Sequence, residues 1–244
     1  MFPILYHAHH KRYQEDLPFW LELAAHQGDP VLELGCGSGR VLRPLAQAGY
    51  CVYGLDNDPG MLAVLRDNLT PDLIPRTHIF VADFTSFHLE LRFPLIILPC
   101  NTYNTLSNKE RQATLERVHR HLGSGGIFAT SLPNPQILKQ VLPRSESEVE
   151  DTFPHPLDGE PVQVSSTWER TPQHFTVHWH YDHLAPDGSV ERLSTQVRHN
   201  LVTLQTYVDE IGQAGLQVVN IFGDFDKDPY SGETPFLVLI LARL

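Results

Sequence analysis

Short apolar runs alternate with helix-like segments in the first half of the chain, and this alternation constrains the fold more than any other feature. Strands that are separated by helical patterns imply right-handed crossovers and a mostly parallel sheet covered on both faces. Continuous apolar runs such as LIIL are typical of strands buried on both sides. The runs predicted as strands are VLELG, YCVYGLD, HIFVAD, PLIILPC and GGIFATSLP. The sequence therefore predicts an α/β fold.

The boundaries of several helices are marked by capping residues and prolines. The segment PFWLELAAHQG is predicted to be a helix that ends at Gly28, and PGMLAVLRDNL a helix with Pro59 at its start. The segment NKERQATLERVHRHLG is predicted to open at Ser107 or Asn108. Two further helices are predicted over RVLRPLAQAG and TLQTYVDEIGQAG.

The pattern changes after the fifth predicted strand. PVQVSSTWER, HFTVHWHYDHL and SVERLSTQVRHNL alternate polar and apolar residues, which predicts an antiparallel meander of about three strands with one exposed face. The acidic run ESEVEDTF before it is interpreted as a solvated linker. Two long apolar segments, LQVVNIFGDF and PFLVLILARL, are expected to complete the main sheet as a hairpin, with DFDKDPYSGE as the bend between them.

The predicted organisation has three parts. Residues 1–27 form an N-terminal helical lid, and residues 28–140 with 201–244 form the α/β domain. Residues 141–200 form an antiparallel β insert that serves as a substrate or interface subdomain, so a homodimer through the insert is a possible assembly.

Composition excludes several classes of function. With 244 residues and a formal net charge of −11, the chain has the wrong sign for general binding to nucleic acid or to anionic membrane. No apolar run reaches the length of a membrane span, and the first residues lack a basic region followed by an apolar run, so neither a membrane span nor a signal peptide is expected. The three cysteines form no Cys-x-x-Cys pair, which favours a reducing cytoplasm as the location.

The stretch VLELGCGSGR places a glycine loop directly after the first strand. A dinucleotide-binding fingerprint would have a glycine at the position of Arg40. A phosphate-binding P-loop would have a lysine after its glycines, and no lysine follows this loop. Asp56 follows the second strand, where a carboxylate can accept hydrogen bonds from ribose hydroxyls. Asp83 and Phe84 follow the third strand, where they could bind an exocyclic amine and pack against a purine. The three strand ends together predict a nucleoside site without a pyrophosphate grip.

Four motifs, ELGCGSG, GLDNDPGM, VADF and LIILPCNTYNTL, resemble in order and spacing those of class I S-adenosylmethionine-dependent methyltransferases. The resemblance implies a Rossmann-like seven-stranded sheet whose last strand is antiparallel, with S-adenosylmethionine as cofactor and S-adenosylhomocysteine as product. It implies a cofactor site made of Tyr13, Glu33, Gly35, Cys36, Gly37, Gly39, Asp56, Asn57, Met61, Ala82, Asp83, Phe84, Cys100 and Asn101.

Within that superfamily the chain is most similar to small-molecule members such as sugar-amine N-methyltransferases, which share an aromatic-rich N-terminal segment and an antiparallel insert. By this likeness Tyr13 would bind the cofactor carboxylate, with Tyr6 nearer the methyl group. Those enzymes carry a Gly-His-Leu after the fourth strand. This chain has Asn104, Thr105 and Leu106 there, so a histidine base cannot be carried over.

Methyl transfer from a sulfonium is an in-line displacement that depends mainly on positioning. The predicted acceptor is a small soluble molecule that is methylated at N or O. The candidate residues for positioning it are Tyr6, Asn101 and Tyr103. The candidate substrate contacts are His178, His180 and Tyr103. A metal is not expected. Two alternatives stay open: a non-catalytic S-adenosylmethionine-binding regulatory or scaffold protein, and a nucleotide-dependent oxidoreductase. RNA and protein methyltransferases are disfavoured by the charge and by the missing proline motif after the fourth strand.

Overall fold

The computed structural model describes all 244 residues and contains two separate sheets. The strands of the main sheet are β1 Val31–Leu34, β2 Val52–Asp56, β3 Thr77–Val81, β4 Phe93–Leu98, β5 Leu122–Pro133, β10 Leu216–Phe222 and β11 Phe236–Arg243. Their spatial order is β10-β11-β5-β4-β1-β2-β3. β11 runs antiparallel to β10 and β5, and the other neighbours are parallel. The predicted α/β sheet with an antiparallel last strand is confirmed.

The helices begin and end close to the residues that the capping signals indicate. Ser107 accepts from the Glu110 backbone N–H and Glu110 reaches back to Ser107, a complete capping box. Asp58 caps the helix that starts at Pro59. The helices are α1 Phe2–His10, α2 Leu17–Gln27, α3 Leu42–Gln47, α4 Pro59–Asp67, α5 Asn108–His121, α6 Pro135–Leu138 and α7 Leu204–Gln213. No helix combines the length and the apolar character needed to cross a membrane.

Two apolar cores cover the two faces of the main sheet. Alternate residues of β1 enter opposite cores, with Leu32 and Leu34 in one and Val31 in the other. The first core is closed by α5 and α7, and the second by α2, α3 and α4. Because both faces are buried, all four residues of β1 are inaccessible.

The insert is a four-stranded antiparallel sheet, one strand more than the sequence predicts. Its strands are β6 Glu148–Pro154, β7 Pro161–Arg170, β8 His174–Leu184 and β9 Val190–Asn200. The interpretation of ESEVEDTF as a linker is wrong, because most of that run forms β6. The sequence pattern does not indicate this strand, because it lies at the edge of the insert sheet. There its charged side chains face solvent and only Phe153 is buried.

The helix α1 packs between the insert and helix α4, which covers the main sheet. Leu5 and Ala8 form a small buried cluster with Phe153, Val164 and Tyr181 of the insert. The N-terminal segment therefore bridges the two sheets above the carboxyl ends of β1 and β4.

Candidate active site

The glycine loop after β1 is held by the end of β2. The Cys36 N–H donates to the Leu55 carbonyl at 2.9 Å, and the Gly37 N–H donates to Asp56 Oδ2 at 2.8 Å. Gly39 has a φ of +84°, and a Cβ there would lie 2.3 Å from Leu65 Cδ1. Glycine is required at this position by both the backbone conformation and the packing of α4.

Asp56 also accepts hydrogen bonds from the segments that follow β2 and β3. Its second carboxylate oxygen accepts from the Asp58 N–H at 2.9 Å, and its backbone carbonyl accepts from the Ala82 N–H at 3.0 Å. Partial burial raises the pKa of Asp56, and the backbone N–H donors oppose that rise. The carboxylate and the backbone carbonyl of Asp56 together connect the three strand ends that the motifs identify.

A small cavity lies between the glycine loop, the end of β4 and helix α1. Its volume is about 60 Å³, and Tyr6, Glu33, Gly35 and Cys100 are among the residues that line it. Glu33 is only 3% exposed, and its Oε2 has no hydrogen-bond partner. Burial raises the pKa of this carboxyl well above its usual range. Since buried polar atoms are normally paired, the unpaired oxygen marks a position for a ligand donor.

The chain is strained where β4 ends. Cys100 and Asn101 both adopt the left-handed region, with φ values of 62° and 60°. Two consecutive non-glycine residues in this region are uncommon, and such strain concentrates at functional sites. The segment leads into a short 3₁₀ turn over Thr102–Thr105.

Arg40 connects the glycine loop to the segment between α1 and α2. Its guanidinium donates to both oxygens of Asp16 at 2.6 and 2.7 Å and to Cys100 Sγ at 2.9 Å. It also lies 5.1 Å from the centre of the Tyr13 ring. Sequence reasoning missed Asp16, because no motif signals a carboxylate whose partner lies 24 residues away in the chain.

Aromatic side chains of α1 meet those of the insert beside the cavity. The rings of Tyr6 and His10 stack with centres 4.0 Å apart, and Trp179 lies edge-on to His10 at 6.1 Å. His9 Nδ1 is 3.1 Å from the Tyr181 hydroxyl. Burial lowers the pKa of His10 to about 4, so this imidazole is neutral at pH 7.

The remaining predicted cofactor residues border the same end of the sheet. Asn57 is exposed, Met61 is nearly buried at the start of α4, and Ala82 follows β3. Asp83 Oδ1 accepts from the Thr85 N–H at 2.8 Å. The Phe84 ring lies beside Gly35.

The three predicted substrate contacts do not line the cavity. Tyr103 is 1% exposed and packs in the core with its ring 5.7 Å from that of Tyr207, because the 3₁₀ turn directs it toward α7. His178 and His180 lie on the insert face opposite Tyr181, since side chains alternate along β8. His180 contacts the Ser194 hydroxyl at 2.7 Å instead.

Comparison with known proteins shows which class of protein this arrangement resembles. Residues 31–126 match the family model described as a methyltransferase domain. The chain is 28% identical over 124 residues to the uncharacterized methyltransferase YrrT of Bacillus subtilis, and spans about half of each, 50% of the chain and 56% of that protein. It is 24% identical to the cypemycin N-terminal methyltransferase of a Streptomyces species, over 88% of the chain and 84% of that protein.

A solved structure shows the same fold over nearly the whole chain. CalS10 of Micromonospora echinaspora, an amino pentose methyltransferase solved with S-adenosylmethionine bound, superposes with a TM-score of 0.73. The identity is 18%, and the match covers 99% of this chain and 97% of that one. The sheet order and the site at the carboxyl ends of β1, β2 and β4 define a class I methyltransferase fold. The chain therefore contains a methyltransferase domain over residues 31–126 and has the fold of the class I S-adenosylmethionine-dependent methyltransferases, as its four motifs predicted.

Proposed function

We propose that the protein binds S-adenosylmethionine at the glycine loop and transfers its methyl group to N or O of a small soluble acceptor. The observation that carries the proposal is the cavity under α1, which is lined by the buried Glu33, whose Oε2 has no hydrogen-bond partner. A ligand with N–H donors would satisfy that oxygen, and the amino group of S-adenosylmethionine is such a donor.

We expect the ribose and the adenine of the cofactor to bind the carboxylates that follow β2 and β3. Asp56 would accept hydrogen bonds from the ribose hydroxyls, and Asp83 would accept a hydrogen bond from the exocyclic amine of adenine. The bound cofactor would supply an electrophilic methyl group on a sulfonium. The residues around the cavity would exclude water and hold the acceptor in line with that group.

Helix α1 is positioned as a cover that moves. The cavity of about 60 Å³ is smaller than the roughly 300 Å³ that small-molecule sites usually reach. His7 Nδ1 lies 3.0 Å from the Ser38 hydroxyl, so α1 is closed on the glycine loop. Cofactor entry requires α1 to separate from this loop and then to close again.

The acceptor would enter between α1 and the insert. The rings of Tyr6, His10 and Trp179 offer a compact aromatic surface there, and the net charge of −11 disfavours a nucleic acid as the acceptor. His10 Nδ1 lies 3.0 Å from the Tyr6 carbonyl and donates to it as the neutral tautomer. Its Nε2 is then free to accept a hydrogen bond from an amine or hydroxyl acceptor. The amino pentose methyltransferase CalS10 supports an amine or hydroxyl of a sugar-sized molecule as the acceptor class.

Transfer of an isotopically labelled methyl group tests the proposal. The wild-type protein and Asp56→Ala are incubated with labelled S-adenosylmethionine and a panel of amines, amino sugars and phenols, and products are found by mass spectrometry. The proposal expects a labelled product from at least one small acceptor, with less product from Asp56→Ala. Cofactor binding without transfer to any member of a broad panel would favour the non-catalytic alternative.

A further inference from the structure

Three potential metal ligands meet at one end of the insert, away from the cavity under α1. His155 directly follows β6, Asp158 lies in the turn before β7, and His183 lies on β8 opposite Val162. One donor atom from each of the three residues lies within 4.8 Å of the other two. The strand pairing of the insert thus brings together residues that lie up to 28 positions apart in the chain.

The two imidazoles have buried nitrogens without hydrogen bonds. His155 Nδ1 and His183 Nε2 each lie 3.1 Å from an oxygen of Asp158, but neither contact is aligned as a hydrogen bond. His155 is only 4% exposed, and the two rings stack with centres 4.3 Å apart. Buried ring nitrogens normally have a hydrogen-bond partner. These two nitrogens have none, so each can bind a further group.

The turn holds the carboxylate in place. The Glu160 N–H donates to Asp158 Oδ1 at 3.0 Å, and the Gly159 N–H donates to the His155 carbonyl at 2.9 Å. These two backbone hydrogen bonds fix the position of Asp158 beside the two imidazoles.

Two imidazoles and one carboxylate, with a fourth position open to water, are a donor set that suits Zn²⁺. Calcium and magnesium prefer sites made of oxygen ligands alone. His155 Nδ1 lies 3.1 Å from Oδ1 of Asp158 and His183 Nε2 lies 3.1 Å from Oδ2, so the carboxylate faces the two imidazoles through different oxygens. All three side chains are close enough for one ion to bind them, since one donor atom of each lies within 4.8 Å of the other two.

We propose that His155, Asp158 and His183 form a binding site for a zinc-class divalent metal. The bound metal links the β6–β7 turn to β8 and so stiffens the end of the insert. Phe153, two residues before His155, packs in the cluster that receives Leu5 of α1. Metal binding at this site therefore stabilises the surface on which α1 docks, and it does so independently of methyl transfer.

Metal titration of the full-length protein tests the site directly. Protein without a polyhistidine tag is stripped with chelator and titrated with ZnCl₂ by calorimetry, and its thermal unfolding is followed with and without the metal. We expect one Zn²⁺ per chain and a higher unfolding temperature with zinc. Removal of one ligand in His183→Gln or Asp158→Asn should weaken binding at least about tenfold.

A matched control separates this site from surface histidines. His88 lies 3.1 Å from Glu90 in an exposed pair that lacks a third ligand, so His88→Gln should leave zinc affinity unchanged. Equal zinc binding by wild type and both ligand variants, or no stoichiometric binding, overturns the proposal. Should a variant fail to fold, Co²⁺ added to the wild type decides: strong visible bands of a tetrahedral site support the proposal, and the weak spectrum of six-coordinate Co²⁺ contradicts it.

Discussion

Arg40 and Asp16 form a two-point ion pair, at 2.6 and 2.7 Å, that joins the end of the glycine loop to the segment between α1 and α2. The side chain of Asp16 is 1% exposed and that of Arg40 is 12% exposed, so solvent screens the pair weakly. The Trp20 indole N–H also donates to Asp16 at 2.8 Å. This pair holds the N-terminal segment over the site, and it also occupies the side chain that stands where a dinucleotide fingerprint has a glycine.

Asp16→Ala should destabilise the protein by about 3–5 kcal/mol, because it leaves the Arg40 charge buried without its partner. Urea unfolding followed by circular dichroism measures the change. Asp151→Ala is the control, since the Arg12–Asp151 pair is exposed at Arg12 and should contribute at most about 1 kcal/mol. If Asp16→Ala lowers the free energy of unfolding no more than Asp151→Ala does, the buried pair does not contribute substantially to stability.

Docking of α1 should depend on Leu5, which is 2% exposed against the insert. Leu5→Ala removes buried contacts and should cost about 2–5 kcal/mol of local docking energy. Trypsin cleavage after Lys11 and Arg12, which are exposed between α1 and α2, should become faster. Ile74→Ala alters a side chain that is 58% exposed and should leave the cleavage rate unchanged. Equal rates for the two variants would contradict the closed position of α1.

Two buried histidines predict a decline of stability in mild acid. Burial lowers the pKa of both His10 and His199 to about 4, whereas the unfolded chain takes up these protons near pH 6.5. The stability that the neutral rings provide is complete above pH 6.5 and is lost as the pH falls toward 4. Urea unfolding between pH 7 and 4.5 should show this decline, with a smaller slope in His199→Gln. The exposed His88→Gln should keep the wild-type slope, and an identical slope in His199→Gln would contradict the assignment.

Local signals were sufficient for most of the main sheet. The capping box at Ser107, the proline at the start of α4 and the apolar run of β4 each act within a few residues, so the sequence predicts them directly. The strand β6 was missed because an edge strand with one buried side chain has almost no hydrophobic pattern.

Parts of the candidate site depend on contacts that no local pattern encodes. The glycine loop and Asp56 follow from strand ends, but the direction of Tyr103 is set by the 3₁₀ turn and by packing against Tyr207. The His155 cluster arises only when the insert strands pair, because His183 comes from a different hairpin.

Calorimetric titration with S-adenosylmethionine, S-adenosylhomocysteine and NAD tests the central claim most directly. Wild-type protein should bind the first two and not NAD. Asp56→Ala should lose about 1–3 kcal/mol of binding free energy through the lost ribose bonds, whereas the exposed Asp67→Ala on α4 should bind like the wild type. Tight binding of NAD with no response to S-adenosylmethionine, or unchanged affinity in Asp56→Ala, would contradict the account.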